Sequence, residues 1–235
     1  MKTRLHQSEQ LDDLSLKGKK LNNALSSLGW INKWLGNHQM IIPFVLEVVR
    51  NHPEQDVFRI VDLGCGGGDV LLSLAKKLRK EAIPFSITGI DGNKNSLKYA
   101  ESRSVDFPQI NYLRADILSP DFVINSCDIL ISSHFLYHFD SEKLVRFFNK
   151  NLPKVKIAFI NSGLERTSWA LRLFKTFTFF LPISRLAKED GLIAIQRAFT
   201  QKELAEIINQ VPAFQFQLTQ VPLFRLKLTH STIKK

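Results

Sequence analysis

The run VDLGCGGGD, residues 61–69, sets closely spaced glycines between two carboxylates, after a short apolar stretch and before a helical one. Gly64, Gly66 and Gly68 remove side chains where the chain turns sharply, so amides at the start of the next helix can approach a bound ligand. Cys65 lies inside the same turn, and Asp62, at the end of the apolar stretch, is placed to receive a cation or an amino group. A tight turn without a ligand is the plainer reading of the same residues. The third glycine of the dinucleotide pattern G-x-G-x-x-G would fall on Asp69 or Leu71, so that fingerprint is incomplete. Asp62 and Asp69 would also repel a pyrophosphate, which favours a ligand that lacks phosphates and carries positive charge.

S-adenosylmethionine (SAM) is such a ligand, and two further acids extend the reading. Asp91 stands 23 residues after Gly68 in the run GIDGN, beside Gly92 and Asn93, with two oxygens for two ribose hydroxyls. Asp116, in RADIL, is placed to accept from the exocyclic amine of adenine while Ile117 packs on the base. For either acid the structural alternative is a helix cap. Ser133 closes the apolar run CDILISS. The overlapping segment SSHFLYHF, residues 132–139, carries His134 and His138 four residues apart. On a helical turn they would share one face beside the transferred methyl. Histidine titrates near neutrality and could take the proton of a phenol, although local packing is the competing role. No Asp or Glu stands near them at ligand spacing, so no metal is expected.

Two segments read as walls for the acceptor. LGWINKWLGNH places Trp30 and Trp34 on one helical face, with Gly36 and His38 following, and could close over the site as a lid; a core role competes. Residues 164–181 hold Trp169, Phe174, Phe177, Phe179 and Phe180 among Arg166, Arg172 and Lys175. That mixture suits an apolar acceptor with an acidic group, or peripheral contact with an anionic membrane; packing on the sheet is the simpler account.

The elements that must position these residues follow from hydrophobic period. From Ser8 to Arg50 the spacing of Leu21, Leu25 and Leu28, then of Ile41, Ile42, Val45, Val48 and Val49 after a break at Gly36, predicts two or three helices. From Phe58 the period changes to short apolar runs, FRIVDLG, FSITGID, INYLRAD, CDILISS and VKIAFIN, alternating with helical stretches. Such alternation requires crossovers and a parallel sheet covered on both faces, a doubly wound α/β architecture with ligands at the carboxyl edge. Thr200 and Glu203 fit a capping box, and the runs flanking Pro222 suit a terminal antiparallel pair. The expected division is a helical cap at 1–56 and a ligand-binding domain at 57–235, interrupted by an aromatic-rich insertion at about 164–196.

At 235 residues with 44% hydrophobic and 23% charged side chains, the chain is neither disordered nor a disulfide scaffold. Two distant cysteines, Cys65 and Cys127, and a first segment without a leader-like apolar run give the expectation of a cytoplasmic protein. The net charge of +10 arises entirely after residue 140. Those cations are dispersed among aliphatic residues, so nucleic-acid binding is not the favoured reading.

VDLGCGGGD, GIDGN and RADIL in that order resemble the motifs of the class I SAM-dependent methyltransferases, over residues 57–161 with a family-like ending to 229. The resemblance implies a Rossmann-like seven-stranded sheet with its last strand antiparallel. It also implies that Asp62, Gly64, Gly66, Asp91, Asp116 and residues near Ser133 line the cofactor site, with S-adenosylhomocysteine (SAH) as product. The LYHF segment and the helical cap look like the enzymes that methylate quinone precursors or polyketide phenols. A small apolar or aromatic acceptor methylated at oxygen is the resulting expectation. An RNA methyltransferase, a SAM-binding protein without catalysis and an NAD-dependent oxidoreductase stay open beside it.

Overall fold

The computed structural model describes residues 1 and 3–231. After a single 3-10 turn at Gln10–Asp12 come two helices, α1 (Gly18–Trp34) and α2 (Asn37–Arg50), and then the alternation begins. It runs β1 (Phe58–Leu63), α3 (Asp69–Lys80), β2 (Phe85–Asp91), α4 (Lys94–Arg103), β3 (Ile110–Arg114), β4 (Cys127–Ser133), α5 (Ser141–Asn151) and β5 (Val155–Leu164). Helices α6 (Ser168–Phe179) and α7 (Arg185–Arg197) follow. The chain then adds α8 (Gln201–Ile208), β6 (Phe216–Val221) and β7 (Arg225–Ser231). The strands form one sheet in the order β3-β2-β1-β4-β5-β7-β6, with β7 antiparallel to both of its neighbours.

Strand β4 is buried on both faces from Cys127 to Ser132, which is why its apolar residues Ile129, Leu130 and Ile131 run consecutively without alternation. Period-two alternation sends Ile129 and Ile131 to one face, with Ile60, Ile87 and helices α2 and α3, and Leu130 to the other, with Phe159 and helices α5 and α8. Leu71, Leu74 and Leu78 of α3 are fully buried, and each contributes roughly 2–3 kcal/mol by leaving water. Helix α8 begins with the expected capping box: the Thr200 hydroxyl accepts from the Glu203 amide and the Glu203 carboxylate from the Thr200 amide.

The two N-terminal helices do different work. Helix α2 is built into the core through Ile41, Val45 and Val49. Its first residue, Asn37, is fully buried; its side chain donates to Ser133 Oγ at 2.7 Å and accepts from the Ser162 hydroxyl. That pair fastens the start of α2 to the ends of β4 and β5. Helix α1 instead leans on α7 and α2 and leaves a space above the strand ends. No helix among the described residues is long and apolar enough to cross a membrane.

Candidate cofactor and acceptor site

A cavity of about 770 Å³ lies over the carboxyl ends of the strands, roofed by α1, α6, α7 and residues 8–14. The glycine turn forms one end. The amides of Gly64 and Cys65 both donate to the Ile90 carbonyl, at 2.9 and 3.0 Å, which folds the turn back against the end of β2. Gly64 has φ +67°, and a Cβ there would lie 2.4 Å from the Phe135 ring, so both backbone and space demand glycine. Asp91 braces the arrangement: Oδ2 accepts from the Gly66 amide at 2.9 Å and Oδ1 from the Asn93 amide at 2.8 Å.

Asp62 lines this end of the cavity at 2% exposure, and its Oδ1 has no partner among the described residues. Burial, reinforced by Asp69 and Asp91, pushes its carboxyl well above the usual range. Asp91 is raised by burial too, against the pull of its two amide donors. Three carboxyls around one cavity end, one with an orphaned oxygen, fit the ammonium and sulfonium charges of SAM and oppose a pyrophosphate. Asp116, Ile117, Gly92, Cys65 and Ser133 also face the cavity. Asp116 Oδ1 accepts from the Leu118 amide at 3.1 Å, leaving its other oxygen for a ligand. Burial raises the Cys65 thiol well above its ordinary value, so it serves as an apolar wall.

Two of the expected cofactor residues do not line the cavity. Gly68 is the left-handed cap of α3, and the place a Cβ would take is held by the Tyr112 hydroxyl. Asn93 caps α4, and its side-chain amide is turned toward the carbonyls of Asp13 and Leu16 at 3.4 and 3.3 Å. Both shape the site without touching its contents; Gly67 and Ser96 line it instead.

The histidines do line the cavity but not as a helical pair. His134 has a left-handed backbone, φ +51°, and the short turn carrying His138 begins only at Leu136, so no common helix face exists. Arg225 Nη1 lies 2.8 Å from His134 Nε2; a guanidinium only donates, so the imidazole proton sits on Nδ1, which has no partner among the described residues. Burial and Arg225 hold His134 well below its usual value. His138 Nδ1 lies 3.3 Å from Asp12 Oδ1 and 3.1 Å from Arg197 Nη2, while Nε2 has no partner among the described residues. Burial lowers His138 to about 4, with Asp12 opposing and Arg197 and Arg4 adding to the fall.

Around His138 stands a cluster that sequence reasoning missed. Arg197 Nη1 bonds Asp12 at 2.6 Å and Glu9 at 3.1 Å, and the Tyr137 hydroxyl donates to Glu9 at 3.3 Å. Arg4 donates to the carbonyls of Tyr137, Phe139 and Arg197, and the Gln10 and Leu11 amides donate to the Asp190 carboxylate at 2.9 Å each. These bonds tie the first residues across the cavity. No short-range pattern could have announced partners so far apart in the chain. Glu9, Asp12 and His138 have metal-ligand proximity, but the positive charge at their centre is the Arg197 guanidinium.

The expected lid residues sit on the wrong sides of the right helices. Helix α1 turns Leu25, Leu28, Ile31 and Asn32 to the cavity, and its C-cap Leu35 follows them, while Trp30 and Trp34 are 40% and 64% exposed on its outer face. Helix α6 offers Ala170, Leu173, Phe174 and Phe177, with Trp169 exposed. His38 is buried outside the cavity, its Nε2 2.8 Å from Asp69 Oδ2, and joins α2 to α3. Arg166 is likewise internal, paired with Glu203.

A methyltransferase-domain family matches residues 60–156. Among curated proteins the chain is similar to a demethylmenaquinone methyltransferase of Thermotoga maritima, 33% identical over 105 residues, 45% of this chain and 39% of that protein. It is also similar to a ubiquinone/menaquinone biosynthesis C-methyltransferase of Rickettsia massiliae, 31% identical over 101 residues, 43% of this chain and 36% of that one. The chain thus spans about two fifths of the length of these relatives. Among solved structures, a plantazolicin methyltransferase with SAH superimposes at a TM-score of 0.63 and 11% identity, covering 92% of this chain and 97% of that one. A magnesium protoporphyrin IX methyltransferase from Synechocystis PCC 6803 with SAH does so at 0.56 and 16%, covering 83% of each. The sheet order and the glycine turn agree with the fold of these solved structures, and residues 60–156 are similar to a methyltransferase domain.

Proposed function

We propose that the protein transfers a methyl group from SAM to a small apolar or aromatic acceptor, at a phenolic hydroxyl, with His138 as base. The observation that carries this reading is one continuous cavity that joins an acidic glycine-turn end to an apolar chamber containing His138. SAM supplies a methyl already activated by its positive sulfur, so the protein's part is to orient, exclude water and move a proton. Asp91 would hold the ribose hydroxyls, Asp116 the adenine amine, Ile117 the base and Asp62 the ammonium group.

Leu28, Ile31, Leu173, Phe174 and Phe177 form the apolar wall from α1 and α6. A base role requires the tautomer in which Nδ1 carries the proton and turns it to Asp12, 3.3 Å away, in place of the one in which Nδ1 accepts from Arg197 at 3.1 Å. Arg197 competes for the same Nδ1, and its bonds to Glu9 and Asp12 restrain it. Loss of a phenolic proton activates the oxygen and the adjacent ring carbon alike, so the quinone-directed names of the relatives fit the same base. The charged end disfavours an NAD-dependent reaction, because Asp62, Asp69 and Asp91 line the place of the pyrophosphate.

A second, peripheral contact is favoured by the outer face of α6. Trp169, Phe179 and Phe180 are 67%, 78% and 77% exposed, and residues 168–188 hold Arg172, Lys175, Arg185 and Lys188 without one acid. Apolar and cationic residues together suit an anionic lipid surface beside the chamber.

The test is transfer of label from methyl-tritiated SAM into solvent-extractable product with a panel of alkylated phenols and hydroquinones. Wild type is expected to label at least one acceptor and His138→Gln to fall at least a hundredfold with SAM affinity unchanged. Equal rates in the two proteins would remove His138 as base, and no labelling by a SAM-binding wild type would remove this acceptor class.

A further inference from the structure

Four arginines, Arg4, Arg166, Arg197 and Arg225, are drawn into the interior around the cavity, and three of them are satisfied there. Arg166 meets Glu203, Arg197 meets Glu9 and Asp12, and Arg4 is spread over three carbonyls. Arg225 is different. It is 2% exposed and lines the cavity, and no carboxylate lies within 4.0 Å of its nitrogens among the described residues. Its Nε donates to the Leu35 carbonyl at 2.8 Å and its Nη1 to His134 Nε2 at 2.8 Å, both uncharged partners, and Nη2 meets no acceptor among the described residues. The nearby acid Glu165 is engaged elsewhere, both of its oxygens accepting from Gln220.

A buried guanidinium without an anion is costly, because its hydration is lost and no charge replaces it. The backbone around Arg225 is also held in an uncommon form. Leu223 and Phe224, two of the three residues of the β6–β7 turn, have φ of +63° and +54°, and His134 has +51°. Left-handed backbone at three non-glycine residues persists where the surroundings enforce it, and such places cluster at ligand clamps. All three residues line the cavity with Arg225. Burial lowers the guanidinium to about 10, so it keeps its charge at neutral pH.

We propose that Arg225 is an anion-recognition residue of the acceptor chamber, and that the acceptor is an apolar molecule bearing a carboxylate or comparable anionic group. This deepens the methyl-transfer reading and rests on it for the identity of the chamber. Arg225 lies at the start of β7, separated from the glycine turn of β1 by β4 and β5, so it serves the end away from Asp62. A carboxylate could also come from the cofactor itself, and the experiment separates the two sources.

The probes are 1-naphthoate and its uncharged counterpart 1-naphthamide, titrated calorimetrically into the protein with and without saturating SAH. Wild type is expected to bind naphthoate at least tenfold more tightly than naphthamide. Arg225→Met should abolish that preference while leaving naphthamide and SAH affinities within threefold, and Arg225→Lys should restore part of it. Equal wild-type affinities for the two probes would overturn the proposal without any variant, as would a preference that survives Arg225→Met. Loss of SAH affinity in Arg225→Met with the naphthoate preference intact would assign the residue to the cofactor's carboxylate and also overturn it. Failure of wild type to bind SAH would break the methyl-transfer reading, whereas the naphthoate comparison without SAH still decides the role of Arg225.

Discussion

At one end of the cavity Asp62, Asp69 and Asp91 come from residues 62–91 of the chain; at the other, Glu9, Asp12, His138, Arg197 and Arg225 come from its whole length. The first end is an acidic pocket fixed by backbone amides, with Asp91 bracing the glycine turn through Gly66 and Asn93. The second is a web of side chains in which the Arg197 and Arg225 guanidinium groups flank two imidazoles. Local strand-turn-helix geometry suffices for a cofactor that many acceptors share. An acceptor chamber is assembled by tertiary contacts, so its chemistry can change without disturbing the first end.

Substitutions at the two ends should therefore separate, and the largest effect belongs to the acceptor end. His138→Ala is expected to lower kcat by about 10²–10⁴-fold, the usual size for a positioned base, with SAM affinity unchanged. Because burial holds His138 at about 4, its kcat profile should show no histidine-like acid limb near pH 6.5. A limb there that vanishes in His138→Ala would show an imidazole far less buried than this one.

Next in size is a stability effect at Glu9. Burial beside Asp12 raises its carboxyl from 4.5 to about 8, although Arg197 opposes the shift. The folded chain keeps a proton there that the unfolded chain has lost. The resulting stabilisation is complete below pH 4.5 and disappears as pH rises through 8. Glu9→Gln should accordingly gain roughly 2–5 kcal/mol at pH 9 relative to its effect at pH 5, read by urea denaturation. An equal effect at both pH values would mean that Glu9 is ionised in the folded protein throughout.

At the cofactor end, Asp91→Asn is expected to weaken SAM about tenfold to a hundredfold, the range for hydrogen bonds to a charged group. Asparagine is the informative change because alanine would also remove both braces of the glycine turn. Acceptor-probe affinity measured without SAM should stay the same, and a parallel loss would join the two ends that this account separates. The smallest effect is peripheral: Phe179→Ser with Phe180→Ser should reduce sedimentation with phosphatidylglycerol vesicles a few-fold and leave turnover of a water-soluble acceptor unaltered.

The same contrast governs how much was legible in the sequence. The parallel strands followed from alternating apolar runs, the hairpin from the runs flanking Pro222, and the cap of α8 from Thr200 and Glu203, because each signal lies within a few residues. The glycine turn was legible for the same reason, although Gly68 and Asn93 proved to be caps whose atoms face neighbouring elements. Periodicity marks two faces of a helix but does not say which one meets a cavity. In α1 the aliphatic face with Leu28 and Ile31 turns inward and the tryptophans turn out, the reverse of what ring size suggested. Arg225 looked like one cation among many in a basic C-terminal third. Only the packing of β7 against β5 and of the turn against Leu35 shows it to be buried and unpaired.

The most direct test of the central claim is a thermal-shift and calorimetric comparison of SAM, SAH and NAD on wild type and Asp62→Asn. At about 100 times its dissociation constant a ligand adds about 2.7 kcal/mol, which raises Tm by roughly 5–10 °C for a chain of this size. The account predicts that shift for SAM and SAH alone, reduced in Asp62→Asn. A shift with NAD, or none with SAM, would contradict it.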